Sequence, residues 1–150
     1  MHGVIHVNLR EFALKQVGED GWEAIRREAR LGDTRYVTSL RYPDDEVPAV
    51  FLALARRTGE GVGDLVGHFG ECLAGALMDR YRVFVEPSWR TLDLIEHTET
   101  VIHRAVRVNE PTAGPPRLST KRVSEDEVRV IYTSDRQLCA LGKGIIRGVA

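Results

Sequence analysis

The chain has two cysteines in 150 residues, no apolar run that nears the ~18 residues of a membrane span, and no excess of either charge. Each absence excludes something. Cys72 and Cys139 form no metal-spacing motif, and a disulfide between them is not expected in a reducing compartment. Both are expected as free thiols, Cys72 as a small buried apolar residue and Cys139 as a structural or redox-relevant one. Lysine and arginine number 21 against 22 acidic residues, spread along the chain for a net charge of -1, so no basic field exists to hold nucleic acid. The opening Met1-His2-Gly3-Val4-Ile5 lacks the basic region and apolar core of a signal peptide, so a cytoplasmic protein without membrane association is expected. There are no internal repeats, no low-complexity segments, and no nucleophile in a recognisable catalytic motif. What is present, 43% hydrophobic and 29% charged residues, suits one globular domain over 1–150.

Periodicity predicts a mostly helical first part. Val4, Ile5, Leu9, Phe12, Ala13 and Val17 recur at helical spacing up to Gly18, and a short helix over 21–30 carries Trp22 and Ile25 inward. Tyr42-Pro43-Asp44-Asp45 signals a turn, with Asp44 or Asp45 placed to cap a helix through Val47, Val50, Phe51 and Leu54 to Gly59. The acidic run Asp44-Asp45-Glu46 reads as the solvated start of that helix. Leu65, Val66, Phe69, Leu73 and Leu77 share one side of a helix over 63–81, whose glycines at 67, 70 and 75 permit a close neighbour. Ser88 is placed to cap a long helix over 89–108. After Pro111 and Gly114-Pro115-Pro116, two strands over 117–123 and 127–133 join through a Ser-Glu-Asp turn, and a last helix covers 138–149. The fold class is α+β: a helical N-terminal portion packed on a C-terminal portion with a long helix and an antiparallel sheet. Two strands alone make a marginal sheet, so further strands beyond residue 150 are expected to be missing.

Two groups of residues carry chemistry. His103 follows Leu92 by eleven residues, which at about 100° each leaves the two about 20° apart, facing the apolar side; His97 faces elsewhere. A neutral imidazole entering an apolar cavity suits a haem iron, while a core histidine hydrogen-bonded to backbone is the plainer reading of His103 taken alone. Strand alternation puts Tyr132, Ser134 and Arg136 on one face, two hydroxyls and a guanidinium fork fit for carboxylates, while a surface strand with ordinary pairing is the plainer alternative. Glu96 and Glu99 lie near His103, but a zinc centre would want more nitrogen or sulfur ligands.

The sequence resembles the haem nitric oxide/oxygen-binding (H-NOX) family, which includes the haem domain of soluble guanylate cyclase and stand-alone bacterial sensors. Met1-His2-Gly3, the segment from Gly18 to Trp22, Tyr42-Pro43-Asp44, Phe69-Gly70, His103, Pro115-Pro116-Arg117 and Tyr132-x-Ser134-x-Arg136 occur in that family's order, end to end. The resemblance implies haem b (iron protoporphyrin IX) with His103 as proximal iron ligand, its propionates on Tyr132, Ser134 and Arg136, and Pro116 wedged against the macrocycle. It places Cys139 where some relatives have one ligand of a four-cysteine zinc site, whose companions would lie beyond residue 150.

Where oxygen-binding relatives carry a distal tyrosine, this chain has Leu141, and Leu9, Leu73 and Ile5 take the other distal positions, with Val4 a neighbour. Bound oxygen benefits from a hydrogen-bond donor, whereas nitric oxide binds ferrous haem without one, so a nitric oxide sensor that discriminates against oxygen is expected. Its mechanism would be weakening of the His103–iron bond, biasing a two-state packing read in trans by a partner such as a histidine kinase or a cyclic-di-GMP enzyme. The competing expectation is a haem-free ligand-binding or protein-interaction module of the same fold.

Overall fold

The computed structural model describes residues 1–32, 35–111 and 113–150. Helix α1 runs Gly3–Glu28 but breaks at Gly18, where φ 71° and ψ -177° leave the helical region. Glycine reaches that conformation without the cost a Cβ imposes, so the predicted stop is a kink between two helical halves. Trp22 and Ile25 in the second half are buried, as their spacing required. Helix α2, Glu46–Thr58, ends on Gly59 in the left-handed region (φ 78°). Asp45 precedes it but makes no side-chain cap, and Asp44 turns away to other partners.

Helix α3, Val62–Tyr81, buries Leu65, Val66, Phe69 and Leu73. It crosses the final helix α6, Cys139–Val149, with little space between the two backbones. A Cβ on Gly144 would lie 2.1 Å from the Gly67 carbonyl oxygen, and one on Gly70 would lie 2.5 Å from that of Leu141. Glycine at 70 and 144 permits this approach, as anticipated for Gly70, whereas a Cβ on Gly67 would meet only the end of the Arg147 side chain and Gly75 faces open space.

A 3₁₀ turn, Arg82–Phe84, leads to helix α4, Thr91–His97, where Ser88 was expected to cap a helix. The helix instead begins after Arg90, whose N–H donates to the Asp93 carboxylate at 3.0 Å. Residues Thr98–His103 then form a π-helical segment before α5, Arg104–Asn109. The Arg104 N–H donates to the Glu99 carbonyl, the i→i−5 bond that defines the wider turn. The expected helix over 89–108 is therefore three elements in series. Strands β1, Arg117–Ser124, and β2, Glu127–Thr133, form an antiparallel hairpin, the two-stranded sheet among the described residues. Arg117 faces Thr133 and Leu118 faces Tyr132, with an irregularity between Arg122 and Ser124.

Burial divides the apolar residues into two groups. The larger joins α1, α2, α3 and α6 around Phe12, Phe51 and Phe69, whose rings lie 5.5 and 5.6 Å apart. The smaller gathers Leu94, Ile102, Val106 and Ala113, with Met78, Tyr81, Trp89 and Val149 against them. The molecule is α+β, helical with one antiparallel hairpin.

Candidate haem site

His103 closes the π segment with a side chain 15% exposed. Its Nδ1 lies 3.0 Å from Glu99 Oε2. Glu99 also accepts the Leu118 N–H at 3.0 Å and Arg107 Nη2 at 2.8 Å, and the same Nη2 donates to the Pro116 carbonyl at 3.2 Å. One carboxylate thus ties the histidine to β1 and α5, and the shared guanidinium adds the proline corner. Burial lowers the His103 pKa against the pull of Glu99, which favours the cation. Burial works to raise the Glu99 pKa, and the Leu118 N–H, His103 and Arg107 overcome it, so the carboxylate stays ionised.

His97 faces elsewhere, as expected: its ring stacks on Trp89 at 4.7 Å and its Nδ1 meets the Asp93 carbonyl. The reference residue for that expectation is corrected, because Leu92 is only half-buried and the buried positions are Leu94 and Ile95. The π segment breaks the 100° count that linked Leu92 to His103.

Tyr132, Ser134 and Arg136 are each half-buried, with Thr133 and Asp135 exposed between them, so they share a side. The strand nevertheless stops at Thr133, and Ser134 to Arg136 form a turn in which the Arg136 N–H donates to Ser134 Oγ at 3.3 Å. Arg136 Nε donates to Asp44 Oδ2 at 2.8 Å and Nη1 to the Gly114 carbonyl at 2.7 Å. Among the described residues the Tyr132 hydroxyl has no hydrogen-bond partner, and its ring lies over Gly142. The third group is apolar. Leu9, Leu73 and Leu141 are buried in the larger core, with Val4 buried too and Ile5 packed against that core.

These residues fit a haem. A mostly buried imidazole whose Nδ1 faces Glu99, with the Pro116 carbonyl also in reach of the ring, is of the type that ligates a metal, and Arg136 already holds a carboxylate, that of Asp44, as it would a propionate. Sequence reasoning missed the roles of Glu99 and Asp44. Glu99 was weighed as a zinc ligand, yet its spacing of four from His103 and eight from Arg107 marked the three as neighbours on one helix face. Glu96 instead receives Arg122 Nε at 3.0 Å, and no group of three or more His, Cys, Asp or Glu among the described residues could hold a metal ion. Asp44 is no solvated helix start: it pairs with the Met1 ammonium and with Arg136. Cys72 is exposed, not buried, because it lies on the outer face of α3; Cys139 is exposed and free as well.

Comparison with known proteins bears on the family and the fold. The haem-NO-binding (HNOB) family profile matches residues 2–150. An H-NOX protein from S. oneidensis in the Fe(II)NO ligation state superposes with a TM-score of 0.91 at 24% identity, covering 100% of this chain and 83% of that one. Fe(II) unliganded H-NOX from K. algicida gives 0.84 at 19% identity, covering 97% and 80%. At those identities the likeness speaks for the fold alone. Soluble guanylate cyclase 89Da of Drosophila melanogaster is 21% identical over 138 residues, 91% of this chain. The chain spans 20% of the length of that relative. With its profile matched over residues 2–150, the chain belongs to the haem-NO-binding family.

Proposed function

We propose that residues 1–150 form a single haem-based gas-sensing domain that binds nitric oxide, discriminates against oxygen and signals to a partner protein in trans. The observation that carries this reading is the donor set: one mostly buried imidazole, and an arginine already closed on a carboxylate. Haem b, when bound, supplies a ferrous iron able to take a diatomic ligand. His103 is the residue to hold the metal, and Tyr132, Ser134 and Arg136 are those to hold the propionates, with Arg136 exchanging Asp44 for the incoming carboxylate. Pro116, of fixed φ, stiffens the turn next to His103.

Leu9, Leu73, Leu141 and Ile5 set the selectivity. Their side chains offer no N–H or O–H, so a polarised ligand such as oxygen finds no donor on that wall, and nitric oxide needs none. The cytoplasm is the expected location, and no helix among the described residues is long and apolar enough to cross a membrane. A histidine kinase or a cyclic-di-GMP enzyme is the kind of partner the reading implies.

Ion pairs give His103 a way to be felt elsewhere. Glu110 caps the end of α5 and pairs with His2 and, at 2.9 Å, with Arg80 of α3. A shift of the π segment and α5 therefore reaches the first turn of α1 and the end of α3 together.

Reconstitution with haemin tests the reading. A Soret band is expected that is lost in His103→Ala and restored by added imidazole. Absence of the band would instead support a haem-free module of this fold. A stable oxygen complex of the reduced protein in air would overturn the selectivity.

A further inference from the structure

Glu99 is the most heavily bonded carboxylate near His103. Its two oxygens take three donors from three places: His103 in the π segment, Arg107 in α5 and Leu118 in β1. The π segment explains why it reaches the histidine directly. Four residues overshoot an α-helical turn by about 40°, whereas the wider π turn brings residues 99 and 103 almost over one another. The Leu118 N–H then fixes the carboxylate from the side, so Oε2 cannot swing away from the ring without giving up a backbone donor.

A carboxylate can only accept. The nitrogen facing it must therefore carry the proton, which leaves the lone pair on Nε2. We propose that Glu99 is a positioning residue that locks His103 as the Nδ1–H tautomer and, through that hydrogen bond, strengthens Nε2 as a donor to iron. The consequence rests on the haem reading: a metal-bound imidazole that donates to a carboxylate is more basic than one that donates to a carbonyl or to water. The iron–histidine bond is then stronger and less easily released, so Glu99 sets the threshold at which ligand binding frees the helix. Arg107 opposes it. By drawing charge from the same carboxylate at 2.8 Å, the guanidinium moderates what reaches the ring.

Two measurements separate this from a merely structural role. The first needs no haem. Long-range ¹H–¹⁵N spectra of the full chain at neutral to alkaline pH are expected to show His103 with its proton on Nδ1, and Glu99→Ala is expected to move it toward the Nε2–H form. An Nε2–H tautomer in the unsubstituted protein overturns the proposal. The second uses the ferrous haem-loaded chain and reads the iron–histidine stretching frequency by resonance Raman. Glu99→Gln, which keeps an acceptor but removes the charge, is expected to lower the frequency and raise the reduction potential. Arg107→Gln is expected to raise the frequency. Equal frequencies in the unsubstituted and Glu99→Gln proteins, or shifts of the same sign in both variants, overturn it. A chain that takes up no haem refutes the sensor reading while the tautomer result still stands or falls alone.

Discussion

At the scale of single residues, His6 shows how burial sets a pH limit. Its ring is 2% exposed, stands 5.0 Å from both Tyr36 and Tyr42, and neither nitrogen has a hydrogen-bond partner among the described residues. Glu46 Oε2 is 3.4 Å away without hydrogen-bond alignment, and it is taken by the Tyr36 hydroxyl at 3.0 Å. Burial lowers the His6 pKa from 6.5 to about 4, the Met1 ammonium adding to the effect while the nearby His2 and Pro43 carbonyls, too poorly aligned for hydrogen bonds, and Asp44 oppose it. Because the folded value is depressed, the contribution is whole above the unfolded pKa and is lost as pH falls from about 6.5 towards 4. The loss amounts to about 3 kcal/mol. Urea unfolding at pH 7 and pH 5 should show about 2 kcal/mol of it, the rest being lost below pH 5, with a much smaller difference in His6→Phe. Arg136 supplies a second case. Arg136→Ala removes a charged hydrogen-bonding group, and haem affinity measured by haemin titration should fall about tenfold or more. The type and spacing of His103, Tyr132 and Arg136 were legible in the sequence. The present partner of Arg136 was not, because Asp44 and Arg136 are 92 residues apart and no periodicity reports a tertiary ion pair.

At the scale of elements, the same substitution should have opposite signs on a glycine inside the α3–α6 crossing and on one outside it. Gly144→Ala puts a methyl 2.1 Å from the Gly67 carbonyl and should cost about 1–3 kcal/mol, because the α3–α6 crossing must open to admit it. Gly75→Ala meets nothing within 4 Å and should stabilise α3 by about 0.5–1 kcal/mol through helix propensity alone. Thermal melts of the two variants should move in opposite directions. Helix identities were readable because α1, α2 and α3 repeat apolar residues at the α period, with positive-φ glycines marking the kink of α1 at 18 and the end of α2 at 59. The π segment was not, since propensity and apolar spacing do not encode an i→i−5 bond. His103 faces the interior although the rotation count that predicted it does not hold across residues 98–103. The cap was misassigned for a related reason: Ser88 has suitable chemistry, but Asp93 reaching back to the Arg90 N–H decides where the helix starts.

At the scale of the whole molecule, the apolar residues fall into two groups, one across α1, α2, α3 and α6 and one around Leu94, Ile102 and Val106. A haem held by His103 would bind the folded chain and not the unfolded one. Saturating haem at about 100 times its dissociation constant should therefore add about 2.7 kcal/mol to unfolding, read as a higher melting temperature that His103→Ala reduces. The division was not legible: the break at Pro111 to Pro116 separates helices from hairpin, but the smaller group lies mostly before it and the larger takes α6 from after it, through the α3–α6 crossing that no local pattern announces. The Arg136–Asp44 bridge has one more consequence, for kinetics. It closes a loop of 92 residues, so its ordering cost is met only after the local helices and the hairpin exist. Stopped-flow measurements on Arg136→Ala should find refolding at the unsubstituted rate and unfolding accelerated, the mark of a contact made on the downhill side of the transition state.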